Sequence, residues 1–443
     1  MFNEVTDKLN AGNRKSSLLI AICGIGHAEI DSQIRHSITP YALLECSTID
    51  EFLPHLYRCK NNCAITLFHL NDDENTDTIA LDVKTTTEAG VDLEKYQLVS
   101  CFLGKDLLCN AYIYSVDTGV SKIVNVSSVA GGNIKFQFAE EGNANTEWNL
   151  RTEQAFGKGT MRLLSKLSIG VVGVSGTGSI IAEQLARLEV GQLILVDDDK
   201  VERKNLNRIL NSTQFDAETN KNKAEMMAQA IRNSGSQCVP MALPTVLGVP
   251  TTIRVLSQCD VILGCVDSAD GRDQMNQLSS YYCIPYFDLG VKLVADGNGG
   301  IEEISGAVHY IKPGGSSLMS RHVYSPEDVA AASLLRNDKE EYLKRLEAKY
   351  IKGVRESSPA VISVNMQVAS WAVLDFLDRL HQYRIVDNNL YESIHIDMTE
   401  TAIWRDSITP PCKFYGRNVG RGDKNPLLGM PSLSEKNVGG EPK

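Results

Sequence analysis

The chain has no long hydrophobic run, no excess of basic residues and no recognisable leader segment. No stretch approaches the roughly 20 consecutive apolar residues that a membrane-spanning helix needs, and the polar start at 1–15 lacks the pattern of a secretory signal. The 55 Asp and Glu outnumber the 44 Lys and Arg, so the formal net charge is -11. This balance counts against nucleic acid as a partner. We expect a cytoplasmic protein without a membrane partner.

Paired cysteine motifs are also absent, although the sequence has 11 cysteines. Cys59 and Cys63 are the closest two, and no second pair accompanies them, whereas structural zinc needs a full set of protein ligands. Most of the other cysteines stand inside apolar runs, where a thiol behaves as a small core residue. We therefore expect no zinc.

The length of 443 residues exceeds what one hydrophobic core usually serves, so more than one domain is expected. The segment at 140–149 is polar and carries turn-forming residues, which is typical of a linker. After residue 410 the composition turns to Gly, Pro, Asn and Lys, which have little to bury. We expect an N-terminal domain at 1–145, a larger domain at 150–408 and a flexible tail at 409–443.

In the larger domain, strand-length apolar runs alternate with segments of helical periodicity. We expect strands at 167–172, 193–196, 261–265 and 286–289, and helices at 180–188, 223–233, 272–282, 326–350 and 361–380. Such alternation predicts a parallel sheet with helices on its faces. The expected fold class is α/β, with a doubly wound, Rossmann-like, mostly parallel sheet that has helices on both faces. The shorter apolar runs before residue 145 predict a smaller α+β domain.

A glycine-rich loop joins the first strand of this sheet to the first helix. Gly173, Gly176 and Gly178, with Ser175 among them, let the backbone approach a phosphate closely at the helix N-terminus. Such a loop alone is a weak signal, and its strand–loop–helix setting strengthens it. The pattern predicts a nucleotide site, for which NAD is the first candidate.

The residues at the end of the second strand and beyond it favour ATP over NAD. Asp197 and Asp199 end that strand, about 20 positions after the loop, where an acidic side chain binds a ribose hydroxyl. Asn205 and Arg208 follow, and Lys223 begins the next helix. A dinucleotide enzyme needs no such cations, whereas cleavage between the α- and β-phosphates builds charge on the departing pyrophosphate. Arginine and lysine suit that charge because they bind phosphate oxygens.

Asp267 follows the third strand, at the edge of the sheet where ligands bind in this architecture. A carboxylate there suits Mg2+ bridging a triphosphate. Each of these residues also has a structural explanation, since a single Arg or Lys is usually a surface charge and Asp267 could cap the next helix. The ordered set, with each member at a strand end or a helix start, favours one site for ATP and Mg2+.

These stretches resemble the ThiF/MoeB-like adenylyltransferases, which share their fold with ubiquitin-activating enzymes. The matching motifs are VVGVSGTGS (171–179), LILVDDDKVERKNLNR (193–208), NKNK (220–223), ILGCVDSADGRDQMN (262–276) and IPYFDLGV (284–291). The resemblance implies that the glycine loop holds phosphate, that Asp199 binds ribose and that Asp267 holds Mg2+. It also implies that Asn205, Arg208 and Lys223 act on the phosphates.

The reaction that the resemblance implies is attack on the α-phosphate of ATP by the C-terminal carboxylate of a ubiquitin-like or other Gly-Gly-ended protein. An acyl adenylate and pyrophosphate result, and a downstream conjugating enzyme is a further implied partner, in a bacterial conjugation-like pathway. Family members often form homodimers in which the partner contributes an arginine, and Arg151 is the nearest match. Two alternatives stay open: an enzyme of this fold that adenylates a peptide or tRNA, and a non-catalytic scaffold.

Three departures from the family's pattern bear on this function. Ser175 stands where glycine is usual, which is acceptable if its φ is negative. Serines at 313–320 and the lone Cys412 stand where the family often has its paired zinc cysteines, so no zinc is expected. No cysteine lies between Ser316 and Ser358, where many relatives carry a thioester nucleophile. Cys412 is then the candidate nucleophile, in a segment expected to be exposed, or else a remnant of a zinc pair.

The N-terminal domain distantly resembles a JAB-type ubiquitin peptidase. His69 is followed by Asn71 and later by Asp82, where that family needs two histidines and an aspartate to hold zinc. With Asn71 in place of the second histidine, hydrolysis should be lost. The alternative is a degenerate adenylation-like half, for which Gly24 and Gly26 after an apolar strand give slight support. In either case we expect a non-catalytic docking or dimer role.

Overall fold

The computed structural model describes residues 18–30, 33–45, 63–70, 76–94, 96–103, 109–139, 147–348, 350, 360–422 and 425–434. The chain divides into two compact units. The first spans Met1–Glu141 with the short segment Gly420–Lys424, and the second spans Gly142–Val419 with Asn425–Lys443. Among the described residues, no helix combines the length and the apolar character needed to cross a membrane.

In the first unit, the described strands form a six-stranded sheet in the order β2-β1-β3-β4-β5-β6. Its strands are β1 (Leu18–Ile30), β2 (Gln33–Glu45), β3 (Cys63–Leu70), β4 (Gln97–Leu103), β5 (Cys109–Ser115) and β6 (Val120–Val124). β3 and β4 run parallel. Parallel neighbours need a crossover connection, and α1 (Thr76–Glu88) lies in it. β7 (Val126–Ala130) pairs with β8 (Asn133–Gln137) as a separate hairpin. This mixture confirms the expected α+β character.

In the second unit, the described strands form an eight-stranded sheet in the order β11-β10-β9-β12-β13-β14-β15-β16. Its strands are β9 (Ser168–Val172), β10 (Gln192–Val196), β11 (Val239–Leu243), β12 (Val261–Gly264), β13 (Tyr286–Ala295), β14 (Ile301–Ile311), β15 (Tyr391–Asp397) and β16 (Ala402–Ser407). The pairs from β11 to β13 are parallel, and those from β13 to β16 are antiparallel. The predicted mostly parallel sheet is confirmed.

Helices connect the strands of this sheet. They are α2 (Leu150–Leu164), α3 (Gly176–Arg187), α4 (Gln214–Glu218), α5 (Lys223–Ser234), α6 (Pro250–Leu256), α7 (Ala269–Tyr282), α8 (Pro326–Asn337), α9 (Lys339–Glu347) and α10 (Ile362–Leu380). Two neighbouring residues of β13 show that both faces are covered, because successive side chains of a strand point to opposite faces. Phe287 contacts Phe376 of α10, with ring centroids 6.0 Å apart, and Asp288 pairs with Arg272 of α7 at 3.3 Å. The prediction of helices on both faces is confirmed.

The C-terminal segment does not form the mobile tail that its composition suggests. Cys412, Tyr415 and Leu433 are buried, and the Cys412 amide donates to the carbonyl oxygen of Gly315 at 2.9 Å. Bulk composition hides these apolar side chains, because they are spaced among Gly, Pro and polar residues. The expectation of a flexible tail at 409–443 is therefore wrong for its described part within the second unit. Residues beyond 434 lie outside the described residues.

Candidate functional site

The turn between β9 and α3 is tight, and two of its glycines are sterically required. Gly173 has a φ of +88°, and a Cβ added there would lie 2.8 Å from the carbonyl oxygen of Cys265. A Cβ on Gly178 would collide with the carbonyl oxygen of Gly173. Because the turn is so short, α3 begins directly at the carboxyl edge of the sheet, where its first amide groups suit an anion.

Ser175 is the N-cap of α3 and has a φ of −94°. The expectation that a serine is acceptable at this position, given a negative φ, is therefore confirmed. The Ser175 side chain makes no capping hydrogen bond to the helix. The first amide groups of α3 are thus not satisfied by this side chain.

Asp197 ties the end of β10 to this loop. Its carboxylate accepts hydrogen bonds from the backbone amides of Val174 at 2.6 Å and Asp199 at 2.9 Å. Burial raises the pKa of Asp197, while the charge of Lys223 and the two backbone hydrogen bonds lower it. Because both carboxylate oxygens accept hydrogen bonds from the backbone, Asp197 holds the loop against the end of β10. The direct nucleotide contact that we expected from the sequence stays a prediction.

Lys223 and Asp199 form an ion pair beside the loop. The Lys223 Nζ lies 2.7 Å from Asp199 Oδ2, with the Lys223 side chain 6% exposed and that of Asp199 68% exposed. Asn222 positions this lysine, because its Oδ1 accepts from the Ala224 amide at the start of α5 while its Nδ2 donates to the Asp197 and Asp199 carbonyl oxygens. Sequence reasoning missed Asn222, although an asparagine directly before a helix start is an N-cap signal.

Arg208 lies against the N-terminus of α3. A Cβ added to Gly176 would lie 3.4 Å from both the Cγ and the Cδ of Arg208. The Arg208 guanidinium donates to the Lys204 carbonyl oxygen at 2.9 Å and to Asn207 Oδ1 at 3.3 Å. Asn205 is buried and holds this turn, because its Oδ1 accepts from the Glu202 amide at 3.0 Å. The guanidinium therefore has no acidic partner in these contacts and can turn toward an anion.

Asp267 lies just before Ser268, the N-cap of α7, and its side chain is exposed. Within the described part of the chain, no hydrogen bond engages its carboxylate. Its negative charge, after the larger effect of Asp288, raises the pKa of Arg272. An unengaged carboxylate is a ligand that Mg2+ prefers, so Asp267 fits the metal that we expected there.

Parallel strand pairing brings these residues to one edge of the sheet. In the registers of the three strands, Val172 pairs with Val196 of β10 and with Gly264 of β12. The loop after β9, the acidic residues after β10 and Asp267 after β12 therefore lie side by side. This edge combines helix amides, two basic side chains and a carboxylate, a set that can hold a magnesium–polyphosphate.

Residues 149–408 match the family model described as ThiF family, and this match covers more than half of the chain. The chain belongs to the ThiF family. Similar curated proteins include ubiquitin-like modifier-activating enzyme 5 of Drosophila willistoni, which is 30% identical over 163 residues, and that of Aedes aegypti, which is 29% identical over 163 residues. These matches cover 34% of this chain and 38% and 39% of the relatives, so the chain spans about two fifths of their length.

Solved structures of E. coli MccB, one with MccA-N7isoASN and one with ATP, are similar to this chain. Each is 17% identical and covers 61% of this chain and 74% of the MccB chain, with TM-scores of 0.47 and 0.46. At identities this low, the likeness is one of fold alone.

Arg151 is the residue for which the family resemblance implied a contribution to a partner's site. It stands on α2, its side chain is exposed, and its Nη1 donates to Gln154 Oε1 at 3.4 Å. Among the described contacts, none joins Arg151 to the glycine loop of its own chain. Its expected contribution to a partner's site therefore stays a prediction.

Cys412 was expected to be an exposed thiol, and the structure corrects this. The residue is only 5% exposed, because its backbone pairs with Gly315 and the segment around it packs into the second unit. The neighbouring serines bond to one another, since Ser320 Oγ accepts from the Ser317 amide at 2.9 Å and Ser317 Oγ accepts from the Ser320 amide at 3.1 Å. The hydrogen bond between Cys412 and Gly315 brings together the two segments that stand where the family often has zinc cysteines. In the described structure, Cys412 is buried and is not positioned as an accessible nucleophile.

In the first unit, the residues that resemble a peptidase site satisfy one another. His69 Nε2 lies 2.9 Å from Asp82 Oδ2, and Ser100 Oγ donates to the same oxygen at 2.5 Å. The His69 ring also stacks on Phe102, with centroids 4.8 Å apart. All of these side chains are buried. Asn71 lies outside the described residues.

We predict that Asn222→Ala weakens both the fold and nucleotide binding. The change removes the α5 cap and the bonds that hold the ends of β10 and α5 together, so stability should fall by about 1–2 kcal/mol. Lys223 also loses its fixed position, so the dissociation constant for ATP should rise. Asn233→Ala, at an exposed position of the same helix, is the control. Denaturant unfolding and ATP titration measure the two effects, and equal values for both variants would contradict the assignment.

Proposed function

We propose that the ThiF domain is an ATP-dependent adenylyltransferase that activates a carboxylate of a protein or peptide. The observation that supports this proposal is that Arg208 lies against the N-terminus of α3, while Lys223 pairs with Asp199 after β10 and Asp267 follows β12 at the same edge of the sheet. A protein that only binds nucleotide has no need of cations beside the phosphates together with a free carboxylate for a metal. An enzyme that releases pyrophosphate needs both.

Each residue of the site has a different role in this reaction. The α3 amide groups and Arg208 bind phosphate oxygens, and Lys223 leaves Asp199 to neutralise the phosphate chain. Asp199 is then free to accept a hydrogen bond from a ribose hydroxyl. Asp267 would hold Mg2+, which supplies positive charge to the phosphate oxygens when bound.

The chemical step is a displacement at the α-phosphorus. A carboxylate oxygen of the substrate forms a bond to the α-phosphorus, the bond from that phosphorus to the bridging oxygen of the β-phosphate breaks, and pyrophosphate leaves. A carboxylate is already ionised near neutral pH, so no general base is required. Catalysis then depends on alignment and on neutralising the charge of pyrophosphate, which the residues of this site can provide.

For the substrate, we infer the C-terminal carboxylate of a ubiquitin-like or other Gly-Gly-ended protein, as the family resemblance implies. The names of the curated relatives, ubiquitin-like modifier-activating enzyme 5, support this class. The same proposal includes a homodimer in which each protomer contributes Arg151 to its partner's site. It also includes a downstream conjugating enzyme as a partner. The second candidate is adenylation of a peptide without a thioester, and the burial of Cys412 favours it. The acidic net charge of -11 counts against tRNA.

We predict that Asp267→Ala abolishes ATP–pyrophosphate exchange supported by a Gly-Gly-ended protein. Loss of the metal-holding carboxylate removes several kcal/mol of transition-state stabilisation, so exchange should fall by about a hundredfold or more. The fold should be intact, because the side chain is exposed. Asp117→Ala, at an exposed turn of the first unit, is the control. Equal exchange in both variants would contradict the assignment of Asp267 as the Mg2+ ligand.

We also predict that Cys412→Ser leaves ATP–pyrophosphate exchange unchanged. A buried side chain outside the phosphate site contributes neither charge nor alignment to adenylation. The same variant reports on a thioester, because any covalent carrier adduct that dithiothreitol removes should persist in it. Loss of such an adduct would show that Cys412 becomes accessible during turnover, and would restore it as the nucleophile.

A further inference from the structure

The start of α10 reaches the start of α3. The two helices pack together, with Gln184 Nε2 of α3 donating to Ser370 Oγ of α10 at 3.3 Å. Asn365 lies in the first turn of α10, where its backbone amide donates to the Val361 carbonyl oxygen at 3.1 Å. The residue is 4% exposed. A polar side chain from a helix far along the chain is thereby placed beside the glycine loop.

The Asn365 side chain points at the first residue of α3. A Cβ added to Gly176 would collide with Asn365 Nδ2, and it would also contact the Arg208 side chain. The amide and the arginine therefore flank the same glycine. Within the described residues, the Asn365 amide has no hydrogen-bond partner. The Asn365 amide is therefore available to donate to a ligand bound at this end of α3.

We propose that the Asn365 side-chain amide donates a hydrogen bond to a phosphate oxygen of the nucleotide at the α3 N-terminus. This inference rests on the proposed function in taking that nucleotide to be ATP. Gly176 leaves room for the amide, and the neighbouring Arg208 supplies the charge that a neutral donor lacks. Asn365 is then a nucleotide-binding residue, and not only a packing residue under the loop.

The test is titration of the full chain with adenosine, AMP and magnesium–ATP. Asn365→Ala should weaken binding of the phosphorylated ligands by about tenfold or more, because the hydrogen bond is to a charged acceptor. Adenosine affinity should be unchanged. Asn365→Asp should weaken the phosphorylated ligands further, since a carboxylate repels phosphate. Gln367→Ala, at an exposed position of α10, should match the wild type for all three ligands.

A coupling measurement separates this contact from a general loosening of the loop. Gly176→Ala displaces the Asn365 amide, so it should weaken ATP binding in the wild-type background and much less in the Asn365→Ala background. Equal losses in the two backgrounds would show that the residues act independently and would overturn the proposal. Equal weakening of adenosine and ATP by Asn365→Ala, or no weakening of either, would overturn it as well.

The outcomes also distinguish this inference from the proposed function. One outcome is ATP binding that depends on Asn365 while no carboxylate substrate supports pyrophosphate exchange. That result would contradict the proposed function and support the nucleotide contact. Exchange in the wild type, with the affinities of Asn365→Ala unchanged, would remove the contact alone. A wild-type chain that binds no ATP would remove both.

Discussion

The carboxylate of Asp197 is the interaction on which the geometry of the candidate site depends. It receives the Val174 amide at 2.6 Å from the glycine loop and the Asp199 amide at 2.9 Å from its own strand end. The backbone carbonyl of the same residue receives Asn222 Nδ2 at 2.8 Å, which fixes the start of α5 and therefore Lys223. One residue thus links the loop after β9, the end of β10 and the first turn of α5. The residues proposed to bind ribose and phosphate therefore depend on the same carboxylate and carbonyl of Asp197.

The α/β fold was predictable because strand and helix periods alternate so regularly from 167 to 289. Boundaries were less predictable where a local cap competes with helix propagation. The charged segment at 326–350 reads as one helix, yet Asp338 adopts φ −150° and ψ 84° and accepts from the Glu341 amide, so α8 ends and α9 begins there. A helix pattern alone does not reveal such a break, because both halves keep an apolar face.

The loop and its charged residues were predictable because each stands at a strand end or a helix start. The position of Asn365 beside the loop was not predictable, because nothing near it in sequence indicates that α10 reaches the glycine loop. Packing of α10 against α3 places it there. The prediction that Cys412 is exposed was wrong for a related reason. Its surroundings look exposed in composition, whereas pairing of its amide with Gly315 buries it. Long-range contacts of this kind leave no periodic signal in the sequence.

In the proposed reaction a substrate carboxylate, and not water or a hydroxyl group, attacks the α-phosphorus of ATP. This oxygen can be followed directly, because the bond formed in the first step stays with AMP when the acyl group is passed on. A Gly-Gly-ended protein labelled with 18O in its C-terminal carboxylate is incubated with the enzyme, magnesium–ATP and hydroxylamine, and the released AMP is examined by mass spectrometry. We expect AMP that carries one carboxylate oxygen; unlabelled AMP, or ADP in its place, would contradict attack by the carboxylate.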